Sequence, residues 1–447
     1  MTEFLTATEA ARRLGVKPAT LYAYVSRGVL RRDRANDGRT SLFDAEEVER
    51  LARRGRPRRP PGVADITVES AITEITGDRL RYRGQDVIRL ATSRTFEDVA
   101  ELLWTGDLPA PQPARDIQPA RDARTASDAR APAGTRPPGP PEPAPRQASW
   151  RATPAALAAG RGAQAALPAG TLPLERLQVI VPAMAATDPL RLQLDPAAVM
   201  AAGRSIIGGL VDCLPSPSPS ALDYPKPDYP NPDQPIGDRL WSRLGAGRAS
   251  PGLRRALSSA LVLLADHELA ASTLAVRAAA SVRADPYAVV ETGMGAMSGA
   301  LHGGASLGAE TLLAAASSPE DVPRVVGELL RRGERVPGFG HFIYKVGDPR
   351  AVLLFDLMRR AAPKSRPLAV AEAVLAEVRR KSLPEPNIDL AIATLVQVAG
   401  MIRGSGEAIF AVARTAGWIA HALEAYSGPG PLRPRAVYTG RPPVDGR

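Results

Sequence analysis

The sequence predicts a mainly α-helical protein, and three observations lead to this fold class. Only 4% of the 447 residues are aromatic, and alanine and leucine are abundant, a composition typical of helices rather than of a β-sandwich. Apolar residues recur at helical spacing through most of the chain, and patterns typical of strands are nearly absent after residue 90. A chain of this length can form two or three domains with a substantial core.

Charge and cysteine content indicate the possible partners of the protein and its cellular compartment. The formal net charge is +10, and residues 1–60 hold 14 Arg or Lys residues against 8 Asp or Glu residues. This excess indicates nucleic acid or another polyanion as a partner of the N-terminal segment, or only a solvated arginine-rich surface. A single cysteine, Cys213, excludes an intramolecular disulfide and a cysteine-based metal site, as in proteins of a reducing cytosol. With no signal peptide and no apolar run of about 20 residues, we expect a cytoplasmic protein without membrane contact.

The first 54 residues predict a small winged helix-turn-helix domain. The first helix, over 4–14, begins with a capping box formed by Thr6 and Glu9, and a tight turn leads to a second helix. Asp37-Gly38 is a hairpin signal between two short strand-like runs, which would form a wing before a third helix. This order of elements resembles DNA-binding modules of the MerR and excisionase type. A small helical interaction domain that does not bind DNA is the alternative.

The second helix would supply most contacts with DNA. Apolar side chains of the first two helices predict a small shared core, made by Ala10, Leu14, Leu21 and Val25. The remaining side chains on and just after the second helix are candidate groove and phosphate contacts, namely Thr20, Tyr22, Tyr24, Arg27 and Arg31.

A basic, proline-rich segment separates this domain from the rest of the chain. We therefore predict a helix-turn-helix domain over 1–54, a linker over 55–64 and a larger domain over 65–447. The larger domain begins with a strand-like alternation around a turn at Gly77-Asp78, followed by a helix from Thr95 to Gly106. Two further segments, 108–150 and 214–235, are rich in proline and lack hydrophobic periodicity, which predicts disordered insertions.

Helical patterns dominate between and after these insertions. The longest predicted helix contains the triplet Asp266-His267-Glu268. The predicted helices cover 173–186, 195–212, 237–246, 252–283, 285–298, 319–333, 349–362, 366–380, 387–401 and 404–426.

Three of the four histidines stand in unusual settings. Neighbouring residues of a helix point in different directions, so the acids beside His267 cannot converge with it on one metal ion. Two interpretations of His267 remain: a core histidine that bonds to a carboxylate, or a residue that contacts a polar substrate. His302 precedes two glycines, which allow backbone and ligand to approach closely. His341 follows a GFG turn that lacks the third glycine and the preceding strand of a dinucleotide-binding loop.

Charged residues near the C-terminus could act together with these histidines. Asp389 lies just inside a helix opened by Pro386 and Asn387, where the helix N-terminus stabilises an anion. Taken alone, it could equally be an ordinary acid at a helix start. The cationic side chains of the same region are Lys345, Arg350, Arg414 and Arg433.

Taken together, the segments that hold these residues resemble the citrate synthase family. Six motifs occur in the family's order and at similar spacing: ADHE, LHGG, PGFGH-x-x-Y-K-x-x-DPR, PNID, ARTAGWIAH and RPRAVYTG. The similarity covers roughly residues 65–440 apart from the two insertions. It implies a large and a small helical domain, and an enzyme of the tricarboxylic acid cycle that condenses acetyl-CoA with oxaloacetate and hydrolyses citryl-CoA. It also implies a homodimer without a metal or a permanent cofactor, with acetyl-CoA as co-substrate.

The resemblance further implies a role for each matched position. His302 would donate to the thioester oxygen, His341 would polarise and protonate the ketone of oxaloacetate, and Asp389 would be the base. His421 would be structural. The carboxylates of oxaloacetate would be bound by His267, Arg350, Arg414 and, from the other subunit, Arg433. Coenzyme A would be faced by Gly338, Gly340, Lys345 and Asn387.

Two positions depart from the family pattern. Phe342 stands where many bacterial members have the arginine of GHRVYK, and Ser306 stands where LHGGAN members have asparagine. No acid–base or carboxylate-clamp position is lost, so an active enzyme is expected.

Two alternative functions stay open. One is a 2-methylcitrate synthase using propionyl-CoA, since one methylene is discriminated by only ~1–3 kcal/mol. The other is a DNA-binding regulator whose synthase domain senses oxaloacetate or acyl-CoA.

Overall fold

The computed structural model describes residues 4–14, 16, 20–21, 24–25, 30–34, 41–53, 68–110, 149–217, 231, 233–245, 247, 250–434, 436 and 440. They fall into two compact units, Met1–Glu69 and Ser70–Arg447. The predicted linker 55–64 and most of the predicted insertions 108–150 and 214–235 lie outside the described residues, as do Tyr22 and Arg27. Most of the described residues are helical, which confirms the predicted fold class.

The first unit combines helices with a three-stranded antiparallel sheet. Its elements are β1 (Phe4–Thr6), α1 (Ala7–Leu14), β2 (Asp33–Arg34), β3 (Ser41–Asp44) and α2 (Ala45–Arg53), and residues 20–21 and 24–25 are helical as well. The sheet has the order β1-β3-β2, and β2 pairs antiparallel with β3, as the predicted wing requires, whereas the predicted turn at Asp37-Gly38 lies outside the described residues. The Thr6 amide donates to Glu9 Oε2 over 2.9 Å, which confirms the capping box. The predicted helix over 4–14 was three residues too long, because residues 4–6 pair with β3.

The small core of this unit confirms the predicted core residues and corrects the prediction for Tyr24. Ala10 and Leu21 are fully buried, and Leu14 and Val25 pack against them. Tyr24 is only 6% exposed and belongs to the same core, so it is not available for a groove contact. Among the other candidate DNA contacts, Thr20 is half-buried and Arg31 is exposed.

The second unit begins with a small antiparallel sheet. Its strands are β4 (Thr73–Thr76), β5 (Arg79–Tyr82) and β6 (Gln85–Asp86), in the order β4-β5-β6. Gly77 has a φ of +64°, and the hairpin it closes confirms the predicted turn. The ring of Tyr82 is fully buried, and its hydroxyl donates to the Asp266 carbonyl oxygen over 2.7 Å. The sheet thereby anchors the segment that carries His267.

Helices form nearly all of the remaining described structure. The Thr95–Asp98 capping box and Gly106, with a φ of +85°, delimit one of them as predicted. Three helices, α3, α5 and α12, were not predicted. The helices are α3 (Val87–Ser93), α4 (Phe96–Thr105), α5 (Pro154–Ala165), α6 (Pro173–Ala185), α7 (Pro196–Cys213), α8 (Ile236–Leu244), α9 (Pro251–Leu264), α10 (Ala271–Ser281), α11 (Pro286–Met297), α12 (Gly304–Ala315), a 3-10 turn (Pro319–Asp321), α13 (Val322–Arg331), α14 (Pro349–Ala361), α15 (Arg366–Arg380), α16 (Ile388–Val398) and α17 (Ser405–Tyr426).

Helix α17 is the central helix of this unit. It is apolar on all sides and is buried from Ser405 to Ala422, as expected for a helix enclosed by others. It packs against α4, α7, α9, α10 and α11. Because it carries Phe410, Arg414 and His421, it brings an aromatic ring, a guanidinium group and an imidazole into the interior.

The predicted helix over 252–283 is divided into α9 and α10. Residues 265–270 between them are not helical, and Glu268 has a φ of +54°. The Gly417 amide of α17 donates to the Ala265 carbonyl oxygen over 3.0 Å, which replaces a bond that a continuous helix would have made. The placement of His267 in the middle of a helix was therefore wrong. The apolar pattern hid the break because residues 261–267 are all buried.

Within the described ranges, no helix combines the length and the apolar character needed to cross a lipid bilayer.

Candidate active site

One cavity of about 560 Å³ brings together most of the candidate site residues. It lies where the 265–270 segment, the turn before α12, the 338–343 segment and the starts of α14 and α16 meet α17. Its polar lining consists of His267, Glu268, His302, Gly340, His341, Arg350, Asn387, Asp389 and Arg414, and its apolar lining includes Leu301, Phe342 and Phe410.

The segment with His267 is fixed by its neighbour Asp266. The Asp266 carboxylate accepts a hydrogen bond from Thr73 Oγ1 over 2.5 Å, and His421 Nε2 lies 3.3 Å from its other oxygen. His421 is fully buried and Arg277 donates to its Nδ1 over 3.0 Å, which supports a structural role. Burial lowers the pKa of His267 well below its usual range, and the charges of Arg350 and Arg414 lower it further.

His302 lies in the turn of residues 298–303 between α11 and α12. Its Nε2 is 2.7 Å from Oγ of Ser272, which is fully buried in the first turn of α10. Its ring meets the Phe410 ring edge-on, with 5.8 Å between centroids. Burial, followed by the charge of Arg414, lowers the pKa of His302 to about 4. The ring is therefore neutral at physiological pH.

His341 is positioned by two segments that bond to each other through their backbones. The Gly340 amide donates to the Glu385 carbonyl oxygen over 2.8 Å, and the Asn387 amide donates to that of Gly338 over 3.0 Å. Asn387 Nδ2 also donates to the Gly340 carbonyl oxygen over 2.9 Å. Gly338 has a φ of +82°, and a Cβ there would lie 2.7 Å from Leu390 Cβ, so this turn requires glycine.

The protonation of His341 follows from its own turn. Its Nδ1 accepts hydrogen bonds from the amides of Ile343 and Tyr344, over 3.0 and 3.2 Å. Burial, with help from Arg350, lowers the pKa of His341 to about 4, so the ring is neutral. A neutral ring whose Nδ1 accepts carries its proton on Nε2. His341 is thus arranged as a hydrogen-bond donor.

Asp389 lies in the first turn of α16, beside both histidine segments. Its amide donates to Asn387 Oδ1 over 3.0 Å, which is the N-cap of that helix. Burial raises the pKa of Asp389 to about 7 and Asp348 adds to the effect, whereas Arg350 and Arg414 oppose it. A carboxylate with such a pKa accepts a proton more readily than an ordinary aspartate does.

The two arginines of the cavity differ in how their charge is balanced. Arg350 is 2% exposed and forms a bidentate pair with Asp348, from Nε over 2.9 Å and from Nη2 over 2.8 Å. Arg414 is 1% exposed and donates from Nε to the Leu264 carbonyl oxygen, while its Nη1 has no hydrogen-bond partner among the described residues. An unbonded buried guanidinium nitrogen beside a cavity fits an anionic ligand.

Other predicted site residues lie outside the cavity lining. Arg433 is exposed and does not line the cavity of this chain. Gly338 shapes the turn without lining the cavity, and Lys345 is exposed with Nζ 3.5 Å from the His341 carbonyl oxygen. Their predicted contacts with substrate or coenzyme A stay predictions. Across the described ranges, no group of three or more potential metal ligands occurs.

Sequence reasoning missed several groups that complete the site. Ser272 and Phe410, which touch His302, carry no recognisable signal in the sequence. Asp348 was placed at a helix start, but its pairing with Arg350 was not predicted. Tyr344 stands inside the GH-x-x-Y-K motif, and its position there was the signal that could have drawn attention to it.

Two family models match this chain, one over the helix-turn-helix region and one over the larger helical region. The family model described as citrate synthase, C-terminal domain, matches residues 62–435, and a helix-turn-helix domain model matches residues 4–56. Citrate synthase 2 of Bacillus subtilis is 30% identical over 382 residues, which is 84% of this chain and 94% of the relative. 2-Methylcitrate synthase 2 of Corynebacterium glutamicum is 26% identical over 388 residues, 85% of this chain and 93% of the relative.

Solved structures share the fold. A citrate synthase from Thermotoga maritima aligns with a TM-score of 0.63 at 25% identity, over 86% of this chain and 95% of that one. A citrate synthase from the archaeon Thermoplasma acidophilum, solved as a ternary complex with carboxymethyl coenzyme A and oxaloacetate, aligns with a TM-score of 0.66 at 23% identity. That alignment covers 86% of this chain and 96% of the other.

Proposed function

The chain belongs to the citrate synthase family and is an acyltransferase of that type, and we propose that it condenses acetyl-CoA with oxaloacetate and hydrolyses citryl-CoA to citrate and coenzyme A. The observation that carries the proposal is the convergence of Asp389, His302 and His341 on one cavity that also holds two buried arginines. Acyl-CoA is the co-substrate of such enzymes, which need no permanent cofactor.

Asp389 is the base of the proposed reaction. The methyl group of the thioester is a very weak acid, so its deprotonation needs both a base and stabilisation of the enolate oxygen. The Asp389 carboxylate takes the proton, and the electron pair of the C–H bond moves onto the thioester oxygen. The elevated pKa of Asp389 makes this transfer more favourable than it would be to an ordinary carboxylate.

The two neutral histidines are the hydrogen-bond donors. With the Ser272 hydroxyl donating to its Nε2, His302 carries its proton on Nδ1, from which it stabilises the enolate oxygen. The enolate carbon then attacks the ketone carbon of oxaloacetate, and the proton on His341 Nε2 passes to the new alkoxide oxygen. Water then attacks the thioester carbon and gives one proton to His341, which restores the neutral ring. The proton held by Asp389 passes to the leaving thiolate, so coenzyme A leaves as the thiol, and the new carboxyl group of citrate loses its proton to solvent.

The carboxylates of oxaloacetate are bound by the two arginines of the cavity and by the neutral ring of His267. Arg414 offers its unbonded Nη1, and Arg350 and His267 complete the clamp. A homodimer would supply Arg433 from the second subunit, which explains why that side chain lies outside the cavity of its own chain. Coenzyme A would be bound along the turn with Gly338 and Gly340, close to Lys345 and Asn387.

Release of free thiol from acetyl-CoA in the presence of oxaloacetate tests the proposal. Wild-type protein should turn over, and Asp389→Ala should lose at least about 1,000-fold in kcat because the base is gone. Asp356→Ala is the control, since this aspartate pairs with Arg359 at the surface of α14. Equal rates for the wild type and Asp389→Ala, or no turnover by the wild type despite oxaloacetate binding, would contradict the proposal.

A second candidate uses propionyl-CoA and produces 2-methylcitrate. The similarity to the 2-methylcitrate synthase of C. glutamicum favours it, as does the apolar side chain of Phe342, 85% exposed at the cavity. Comparing kcat/KM for propionyl-CoA and acetyl-CoA decides between the two. A ratio above about 10 in favour of propionyl-CoA would replace the first proposal by the second.

The helix-turn-helix match favours a further proposal, a DNA-binding domain over 1–54 joined by a linker over 55–64 to the synthase domain over 65–447. Such a chain could regulate transcription in response to oxaloacetate or acyl-CoA. DNA affinity should fall steeply with salt and weaken in Arg27→Ala and Arg31→Ala. If neither substitution changes the affinity, DNA does not bind this surface.

A further inference from the structure

Tyr344 occupies a central position behind the cavity, although it does not line it. Its side chain is 4% exposed, and it follows His341 by three residues in the same turn. Three groups that line the cavity surround it on different sides: the imidazoles of His267 and His341 and the guanidinium of Arg350. All three contact its ring, and His267 also lies within hydrogen-bond distance of its hydroxyl.

The contacts of Tyr344 restrain all three groups at once. Its hydroxyl lies 3.1 Å from His267 Nε2. Its ring lies 4.7 Å from the His341 ring, between centroids and at 34°, and its amide donates to His341 Nδ1. The Arg350 guanidinium lies over the same ring, 5.5 Å from the centroid, and this cation–π contact comes in addition to the pair with Asp348.

We propose that Tyr344 is the positioning residue of the oxaloacetate subsite, fixing the orientation of His267 through its hydroxyl and those of His341 and Arg350 through its ring. The inference rests on the proposed function, because it assigns these three groups to oxaloacetate. Tyr344 touches no reacting atom itself.

The hydroxyl and the ring have separable tasks. The hydroxyl stays neutral, since burial raises the pKa of Tyr344 to about 12, so it holds His267 by a neutral hydrogen bond. Removing the hydroxyl removes only its hydrogen bond with His267, because the His267 ring still meets the Tyr344 ring edge-on, with 5.6 Å between centroids. Removing the ring also frees His341 and Arg350, which act on the ketone and on a carboxylate.

Two substitutions separate these tasks. Tyr344→Phe keeps the ring, so the dissociation constant of oxaloacetate should rise about tenfold while kcat changes less than about threefold. Tyr344→Leu removes the ring as well, and kcat should fall by a further factor of about 100, because displaced reacting groups lose that much. The KM for acyl-CoA should stay within about twofold of the wild-type value in Tyr344→Phe.

A matched control separates positioning from folding. Tyr287 is 2% exposed and its hydroxyl donates to Asp188 over 2.9 Å, in a contact outside the cavity lining. Tyr287→Phe therefore removes a hydrogen bond of another buried tyrosine, yet should leave oxaloacetate binding and kcat unchanged. Calorimetric titration with oxaloacetate in the absence of acyl-CoA measures binding independently of turnover.

The outcomes distinguish the two proposals. If the wild type does not turn over, the proposed function fails, and the titration still reports whether Tyr344 positions an oxaloacetate site. If the wild type turns over and Tyr344→Phe binds oxaloacetate as the wild type does, the inference about Tyr344 is wrong. Equal losses of binding in Tyr344→Phe and Tyr287→Phe would likewise overturn it.

Discussion

Two non-helical segments carry active-site histidines, 265–270 with His267 and 298–303 with His302. They are stabilised in different ways. The 265–270 segment is tied by side chains from three directions, with Thr73, Tyr82 and His421 all bonded to or facing Asp266. The 298–303 turn is closed mainly by its own backbone, through bonds such as those of the His302 and Gly304 amides to the Gly299 carbonyl oxygen. Leu301 in that turn is fully exposed.

This difference corresponds to the two proposed substrates. A small dianion such as oxaloacetate is recognised by rigid, directional groups, and rigidity there lowers the entropy lost on binding. A flexible thioester chain is better served by a turn with few tertiary bonds, which can adjust around it. The same residue type is therefore fixed to different degrees at two positions in the lining of one cavity.

Removing Asp266 should have the largest effect on stability. Asp266→Ala leaves the Thr73 hydroxyl and the buried His421 without their carboxylate partner, which should cost about 3–5 kcal/mol in the free energy of unfolding. Urea unfolding followed by tryptophan fluorescence measures it, since all four tryptophans lie in the second unit. Asp285→Ala, which removes a helix N-cap, should cost only about 1 kcal/mol. Similar losses in both variants would show that the 265–270 segment is not specially anchored.

The pH dependence of turnover should report Asp389 alone. With its pKa at about 7, kcat/KM should fall about tenfold per pH unit well below that value, or about 50-fold from pH 7 to 5. His302 and His341 have pKa values of about 4 and stay neutral over this range. If kcat/KM instead falls with an apparent pKa of about 6.5, the ordinary value for histidine, the titrating group is a histidine in ordinary surroundings.

Stability should change with pH in the opposite direction. The folded-state pKa of Asp389 lies above its value in the unfolded chain, about 3.9, so protonation favours the folded state. Its contribution to the free energy of unfolding is therefore greatest below about pH 4 and is lost as the pH rises to about 7. Comparing the unfolding curves of the wild type and Asp389→Asn at pH 5 and 8 isolates this contribution.

A methyl group at Gly417 tests the backbone contact between α17 and the 265–270 segment. A Cβ there would overlap with Asp266 Oδ1 and the Ala265 carbonyl oxygen, so Gly417→Ala should cost about 1–3 kcal/mol in the free energy of unfolding. Gly295→Ala is the matched control, because this helical glycine has open space around it and should gain up to about 1 kcal/mol. If both variants are stabilised, the close packing at Ala265 is absent in solution.

The smallest expected effect is that of Ser272. Ser272→Ala removes the main side-chain hydrogen bond of His302 and should lower kcat about five- to tenfold, through loss of ring orientation. Ser259→Ala removes an equally buried hydroxyl, bonded to the Ala91 carbonyl oxygen over 2.7 Å away from the cavity. Both variants should lose similar stability, but only Ser272→Ala should lose activity. Unchanged kcat would mean that the turn alone orients His302.

Much of this architecture was predictable because each prediction had a local cause. Helix starts such as Thr95 and Asp195 carry their own capping side chains, and the turn at Gly77 carries the residue it needs. The candidate site was predictable through the order of six motifs. Helix α12 was missed because it begins at the second of two consecutive glycines, Gly303 and Gly304, without a side-chain cap.

What escaped prediction depends on tertiary contacts. The break at 265–270 is enforced by α17, some 150 positions later in the chain, and nothing in the local apolar pattern marks it. Tyr24 was expected to face DNA, yet it fills a core that a phenol ring can complete. Backbone amides set the protonation of His341 and Ser272 contacts the ring of His302, and no residue pattern reveals how these groups approach the two histidines.

The turn at Gly338 has a consequence for genetics. Every single-base missense change of a glycine codon introduces a side chain with a Cβ, and here that atom would lie 2.7 Å from Leu390 Cβ and 3.1 Å from the Leu390 amide nitrogen. The turn would have to open, and with it the backbone pairing that brings His341 to Asp389. Gly338 is therefore a position at which inherited variation should be purged as strictly as at the catalytic residues, although no atom of it lines the cavity. A missense allele at this codon would serve as a null mutant with all the acid–base groups still in place.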